Sequence, residues 1–131
     1  MSGSRASGSG RIGGPFGPFT EETTEHNGLI SARKLATALQ QPMAVIAPAL
    51  GFKPRWLNEN PTATNAQRNA LLLLRTMNAI AYALGSTQSA IRYLNTEQPD
   101  FKGETPADQL RRGRLEYLAS YIDELVTLRP D

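Results

Sequence analysis

The stretch TATNAQRNALLLLRTMNAIAYALGS, residues 62–86, decides the fold class. Leu73, Met77, Ile80, Ala81 and Leu84 recur at steps of three and four, the spacing that lines up side chains on one face of an α-helix. Leu71, Leu72 and Leu74 extend the apolar surface nearly all the way round the first turns. A helix that is apolar on most faces belongs in the middle of a bundle. Thr64 and Gln67 stand at capping-box spacing at its start, and Gly85 is its stop.

The flanking segments repeat the helical pattern. On the amino-terminal side, ISARKLATALQQP reads as a helix with Ser31 as N-cap and Leu35, Ala38 and Leu39 on one face. PMAVIAPALG follows, with Val45, Ile46 and Leu50 inward, Pro48 awkward inside it and Gly51 at its end. FKPRWLNENP carries Trp56 and Leu57 among polar neighbours and ends at Asn60-Pro61. On the carboxy-terminal side, Ser86 or Thr87 caps a short helix, SAIRYLN, with Ile91 and Leu94 inward. A last helix starts at PADQLRR, is weakened by Gly113, and continues as RLEYLASYIDELVTL with Leu115, Leu118, Ile122 and Leu125 on its core face. No segment alternates with period two, and β-branched residues do not cluster, so the expected fold is all-α, a small helical bundle joined by short turns. Residues 1–28, rich in Gly and Ser and carrying a repeated Pro-Phe pair in GGPFGPF, read as a flexible arm. Residues 29–62 read as a helix-turn-helix-like region and residues 63–131 as a second helical domain.

Composition narrows the function classes. A length of 131 residues suits one domain with a tail, and a net charge of +2 makes no strong electrostatic case for nucleic acid. The absence of Cys excludes a disulfide framework and thiolate chemistry. The longest apolar run, Ala70 to Leu74, is far short of the roughly 20 residues that cross a bilayer. The start lacks the apolar stretch of a secretory signal, so a soluble cytoplasmic protein with no membrane partner is expected. Enzyme chemistry has little to work with. His26 is the one histidine and falls in the arm, which cannot hold a substrate at fixed geometry. With one His and no Cys there is no zinc set, and no phosphate-binding glycine loop follows a strand. Asp123 and Glu124 are sequence neighbours that point to different helix faces and form no acid–base pair. The expectation is a protein that is not an enzyme, with no metal and no cofactor.

The connector YLNTEQPDFKGETPADQL, residues 93–110, is unusually patterned. Thr105-Pro106-Ala107-Asp108 spells a helix start: Thr105 as N-cap, Pro106 at the first position where no N–H is needed, and Asp108 reaching back to the Thr105 amide. Gly103 suits a turn with positive φ, and Phe101 between Asp100 and Lys102 reads as a plug that pins the connector on the core. The connector therefore sets the angle between two helices.

The run Ile91-Arg92-Tyr93-Leu94-Asn95, then Pro99, Phe101, Gly103, Thr105-Pro106-Ala107-Asp108, Leu110 and Gly113, resembles the carboxy-terminal domain of the MbcA/ParS/Xre antitoxin family. LLLLRTMNAIAYALGS resembles that family's central helix, and the likeness covers roughly residues 65–128. The amino-terminal half is a weaker match to the family's Xre-type helix-turn-helix region. The resemblance implies an antitoxin of a type II toxin–antitoxin system. Its partner would be a RES-domain toxin that consumes NAD, neutralised when the antitoxin's carboxy-terminal region covers the toxin's active site. It also implies a homodimer, with operator DNA as a further partner, reached through the toxin–antitoxin complex.

Residue by residue, this points to a second face of the last helix with Tyr117, Tyr121, Glu124 and Leu128 as toxin-contacting positions. Aromatic residues four apart on a face away from the core suit a protein interface. The competing reading has both tyrosines merely flanking the core with their hydroxyls in water. Arg111, Arg112 and Arg114 form a basic cluster ahead of this face, for an acidic patch on the toxin or else a solvated surface. Arg129 and Asp131 end the chain and are placed at the mouth of the toxin's NAD pocket. For DNA, PMAVIAPAL would be the support helix and FKPRWLNEN the reading helix. Lys53, Arg55 and Asn58 are its polar candidates, with Arg33, Lys34, Arg5 and Arg11 for phosphates. Pro48, Pro54 and the shortness of the second helix weaken this, and the alternative is a helical cap that buries Trp56 and Leu57. The expectations rank as a toxin-inhibiting interaction protein, a repressor of the Xre type without a toxin partner, and a generic helical scaffold.

Overall fold

The computed structural model of the chain describes residues 17–128. These form eight α-helices and no strand, so the all-α class holds among the described residues. In order they are α1 (Thr20–Thr23), α2 (Ala32–Leu39), α3 (Met43–Leu50), α4 (Pro54–Glu59), α5 (Gln67–Leu84), α6 (Thr87–Leu94), α7 (Pro106–Arg111) and α8 (Leu115–Leu128). Single 3-10 turns at Thr64–Ala66 and Pro99–Phe101 lead into α5 and the connector.

Two helices organise the packing. α5 lies against α8, α6 and α3, while α3 lies against α7, α2 and α4. One hydrophobic cluster runs from Phe19 through Leu35, Ile46 and Leu73 to Ile122, so residues 29–62 and the segment after them share a single core. α5 buries Ala70, Leu73, Leu74, Met77, Ile80 and Ala81, the helical stripe expected of a central helix. The helices stop where their sequences allow a left-handed residue, at Gly51 (φ +92°) and Gly85 (φ +96°). Pro48 sits inside α3 and cannot donate to the Ala44 carbonyl; Ala44 is exposed, so water can take that acceptor.

Several expectations change. Residues 17–28 are not an undocked arm: Phe19 is buried, α1 buries Thr23, and a bridge pairs Thr24 with Ile30. The energy of burying one Phe against a socket outweighs the coil preference of the glycines around it. Thr64 and Gln67 do not cap α5. Its N-cap is Ala66, and the helix grows directly out of the 3-10 turn. Gln67 instead spends its amide on Ile30, donating to the Ile30 carbonyl at 2.9 Å and accepting from the Ile30 N–H at 2.8 Å. Leu84 is 48 % exposed, in a final turn of α5 that also leaves Tyr82 in solvent. Leu125 is 42 % exposed because the buried seam of α8 runs Leu115, Leu118, Ala119, Ile122 and on to the half-buried Val126. Gly113 separates two helices rather than weakening one. At φ +76° it closes α7 with paired bonds, Gly113 N–H to the Leu110 carbonyl and Arg114 N–H to the Gln109 carbonyl, both 2.9 Å.

Candidate functional site

The connector between α6 and α7 is a closed loop. The Gln98 N–H donates to the Glu104 carbonyl at 2.9 Å, and the Gln98 carbonyl accepts from Phe101 and Gly103, each at 3.0 Å. Lys102 and Gly103 are consecutive left-handed residues (φ +57° and +87°), which turn the chain back on itself. Phe101 is thereby aimed inward and is buried. Thr105 caps α7 as its sequence predicts: its hydroxyl accepts from the Asp108 N–H at 3.0 Å, and Asp108 Oδ2 accepts from the Thr105 N–H at 2.9 Å. The Thr105 N–H, opposed by burial and joined by the Thr105 hydroxyl and the Arg111 charge, holds the Asp108 carboxyl below the usual carboxylate range.

The aromatic residues of α8 close over the plug. The Tyr121 ring lies 4.8 Å from that of Phe101 and the Tyr117 ring 5.7 Å, both tilted. The Tyr121 hydroxyl donates to Asp100 Oδ2 at 2.7 Å. This corrects the reading in which both hydroxyls stand in water, since Tyr121 is tied to the connector. Burial first, then the bond to Asp100, push the Tyr121 hydroxyl well above its ordinary range. Burial and the Asp100 charge push Tyr93 up to about 12, and the Tyr93 hydroxyl oxygen is buried without a partner.

The side of α8 away from the core stays open, with Glu116, Ser120 and Thr127 exposed on it. Tyr117 is 48 % exposed, and Arg114, Glu124 and Leu125 are exposed beside it. Tyr117, Tyr121 and Leu125 follow one another at steps of four, so they share a face. Leu125 belongs to this surface and not to the core, as the i+4 step from Tyr121 signals. The basic cluster is largely spoken for: Arg111 pairs with Asp108 at 2.8 Å and Arg112 with Glu104. Glu104 also accepts from the buried Gln109 amide at 2.9 Å. Arg114 makes no ion pair among the described residues. The side chain of Leu128, together with Arg129 and Asp131, lies outside the described residues, as do Arg5 and Arg11.

The DNA candidates sit on α2 and on α3–turn–α4. The turn is residues 51–53, and α4 has six residues, about 9 Å of helix. Pro54 occupies its first position. Arg55 extends into solvent and reaches Glu59 at 3.7 Å, while Lys53 and Asn58 are exposed. On α2, Arg33 is exposed and Lys34 pairs with Glu25 at 3.3 Å. The cap reading of α4 holds for Leu57, which is buried, but not for Trp56, which is 40 % exposed and stacks on Phe52 at 5.0 Å.

Among the described residues no cluster of three His, Cys, Asp or Glu could hold a metal ion, and no helix is long and apolar enough to cross a membrane. The fold is thus a small all-α bundle whose most elaborated surface feature is a pinned connector beneath an aromatic strip. Comparison of the chain with protein-family models, with curated proteins and with solved structures gives no match.

Proposed function

We propose that this chain is the antitoxin of a type II toxin–antitoxin pair. It binds a RES-domain, NAD-consuming toxin and covers that enzyme's active site with its carboxy-terminal region, performing no reaction of its own. The observation that carries the reading is the closed connector: Phe101 beneath Tyr117 and Tyr121, followed by the reciprocal Thr105–Asp108 cap. Phe101 and Thr105–Asp108 are among the positions on which the family resemblance rests, and the rings of Tyr117 and Tyr121 on α8 pack on Phe101. A preformed strip loses little conformational freedom on docking, which favours tight inhibition. The toxin contacts fall on Tyr117, Glu124, Leu125 and Arg114, with Arg111 and Arg112 at the rim. The test is co-expression of the chain with the adjacent reading frame, reading growth and cellular NAD. Growth arrest and NAD loss that this chain does not reverse would end the proposal. Truncation after Val126 tests the tail's part, since intact neutralisation would remove Arg129 and Asp131 from the interface.

A second reading, operator binding by a homodimer or by the toxin complex, draws support from the α3–turn–α4 connection and its exposed Lys53, Arg55 and Asn58. A salt-dependent gel shift of the upstream DNA tests it.

A further inference from the structure

The segment that docks residues 17–23 has the features of a recognition site. Asn78 on α5 is 4 % exposed, yet both ends of its amide are used on chain some 60 residues away. Its Oδ1 accepts from the Phe19 N–H at 2.8 Å, and its Nδ2 donates to Thr20 Oγ1 at 3.2 Å. A Cβ at Gly17 would stand 2.5 Å from Asn78 Cγ, so no other residue fits there unless Asn78 moves. Phe19 is buried, and Thr23 Oγ1 donates back to the Phe19 carbonyl at 2.9 Å. The site therefore reads a glycine by close approach, a phenylalanine by its socket and a threonine by its hydroxyl.

We propose that this socket is a binding site for a Gly-Pro-Phe-Thr peptide segment, and that a second copy of this chain supplies it, so that two copies exchange residues 17–23. The contacts join residues 58 and 59 apart in sequence, and none of them uses the intervening chain. The link back to α2 is a short exposed turn. It is held by Glu25 N–H to the Leu29 carbonyl (2.8 Å), Gly28 N–H to the Glu25 carbonyl (2.9 Å), Ser31 N–H to the Thr23 carbonyl (2.9 Å) and the Lys34–Glu25 ion pair (3.3 Å). Opening that turn releases α1 with its own bonds intact, Thr20 N–H to Gly17 (3.0 Å) and Thr24 N–H to Thr20 (3.1 Å). Exchange of an identical segment can remake every socket contact, and the Ser31–Thr23 bond with it, between copies and gives up the turn, which is why such swaps are a low-cost route to a dimer. The sequence carries Gly-Pro-Phe a second time directly upstream, at residues 14–16, so the chain itself is a source of the motif.

The test uses the full chain carrying Gly17→Ala, which blocks its own arm and leaves the socket unchanged. A fluorescent peptide of residues 17–24 should bind this variant saturably and not the wild type. The same peptide with Ala for Gly should bind at least about tenfold more weakly, the equivalent of about 1.4 kcal/mol. Gly17→Ala (open socket) mixed with Asn78→Ala (intact arm) should sediment as a mixed dimer at concentrations where each alone is a monomer. If circular dichroism shows that Gly17→Ala fails to fold, Phe19→Ala replaces it. No peptide binding to the folded variant overturns the site, and binding without a mixed dimer overturns the second copy as its partner. Neither assay contains a toxin, so a failure here leaves the proposed function standing.

Discussion

Replacing Thr105 by Ala removes one half of the cap that joins the connector to α7. The lost bond is the 3.0 Å contact from the Asp108 N–H to the Thr105 hydroxyl; the return bond from the Thr105 N–H to Asp108 Oδ2 survives. An N-cap threonine is worth about 1 kcal/mol, and for a fold of this size that lowers Tm by about 4 °C. Asp108→Asn probes the other half. It keeps the shape but removes the charge that accepts from Thr105 and pairs with Arg111 at 2.8 Å. The two variants differ in pH dependence. Asp108 is held below its ordinary value in the folded chain, so its contribution is fully present above the unfolded carboxylate pKa of about 3.9 and is lost as pH falls through the lower folded value. Thermal melts followed by circular dichroism should show the Asp108→Asn penalty shrinking from neutral pH towards about pH 2, while the Thr105→Ala penalty persists. A Thr105→Ala protein with an unchanged Tm, or an Asp108→Asn penalty indifferent to acid, would refute the capping account.

Phe101→Ala leaves a cavity beneath Tyr117 and Tyr121 and should cost about 3–5 kcal/mol in urea titration. Tyr93 and Tyr121 are held protonated, so stability that is complete below the ordinary tyrosine pKa of about 10 should fall as pH rises towards about 12. A Tyr93→Phe, Tyr121→Phe double variant should flatten that alkaline slope in thermal melts. Gln40 closes α2 in the left-handed region at φ +56°, so Gln40→Gly should raise stability by about 0.5–1 kcal/mol, read as a higher urea midpoint. Tyr117→Ala with Leu125→Ala should leave Tm within a few degrees and abolish toxin neutralisation in co-expressed cells; retained neutralisation would remove this strip from the interface.

What the sequence discloses is what lies within a few residues of itself. The α5 stripe, the Ser31 cap, the glycine stops at 51 and 85 and the Thr105–Asp108 box all depend on groups no more than a turn or two apart. The features that escape it are bonds formed only once distant helices meet. Gln67 reads as half of a capping box and Asn78 is a polar residue in an apolar helix, yet each amide clamps amino-terminal backbone, across 37 and 59 residues. Tyr121 reads equally as an interface residue or as one flanking the core with its hydroxyl in water, until Asp100, 21 residues away, is seen to accept from that hydroxyl. Gly113 is ambiguous for another reason, since a glycine can weaken a helix or end one. The paired bonds of Gly113 and Arg114 onto Leu110 and Gln109 decide it. In the candidate site, the positions of the aromatic residues are legible in the sequence, but their division of labour is not.

That division has a physical consequence for the α8 strip. Tyr121 both covers Phe101 and bonds Asp100, so its ring is fixed from two sides before any partner arrives. Tyr117 leans on the same Phe101 from the adjacent turn and keeps about half its surface in solvent. An interface built on side chains already locked by their neighbours loses less rotamer entropy on binding than one built on free side chains, commonly about 0.5–1.5 kcal/mol for each immobilised side chain. The arginines ahead of the strip make surface ion pairs, Arg111 with Asp108 and Arg112 with Glu104, and both side chains stay more than half exposed. Under the proposed function, Arg114, which makes no ion pair among the described residues, is the arginine of the cluster best placed to meet an acidic partner beside Tyr117. Affinity on this surface, under that same proposed function, depends on the connector beneath it, so loosening Phe101 should weaken docking even where no contacting residue has changed.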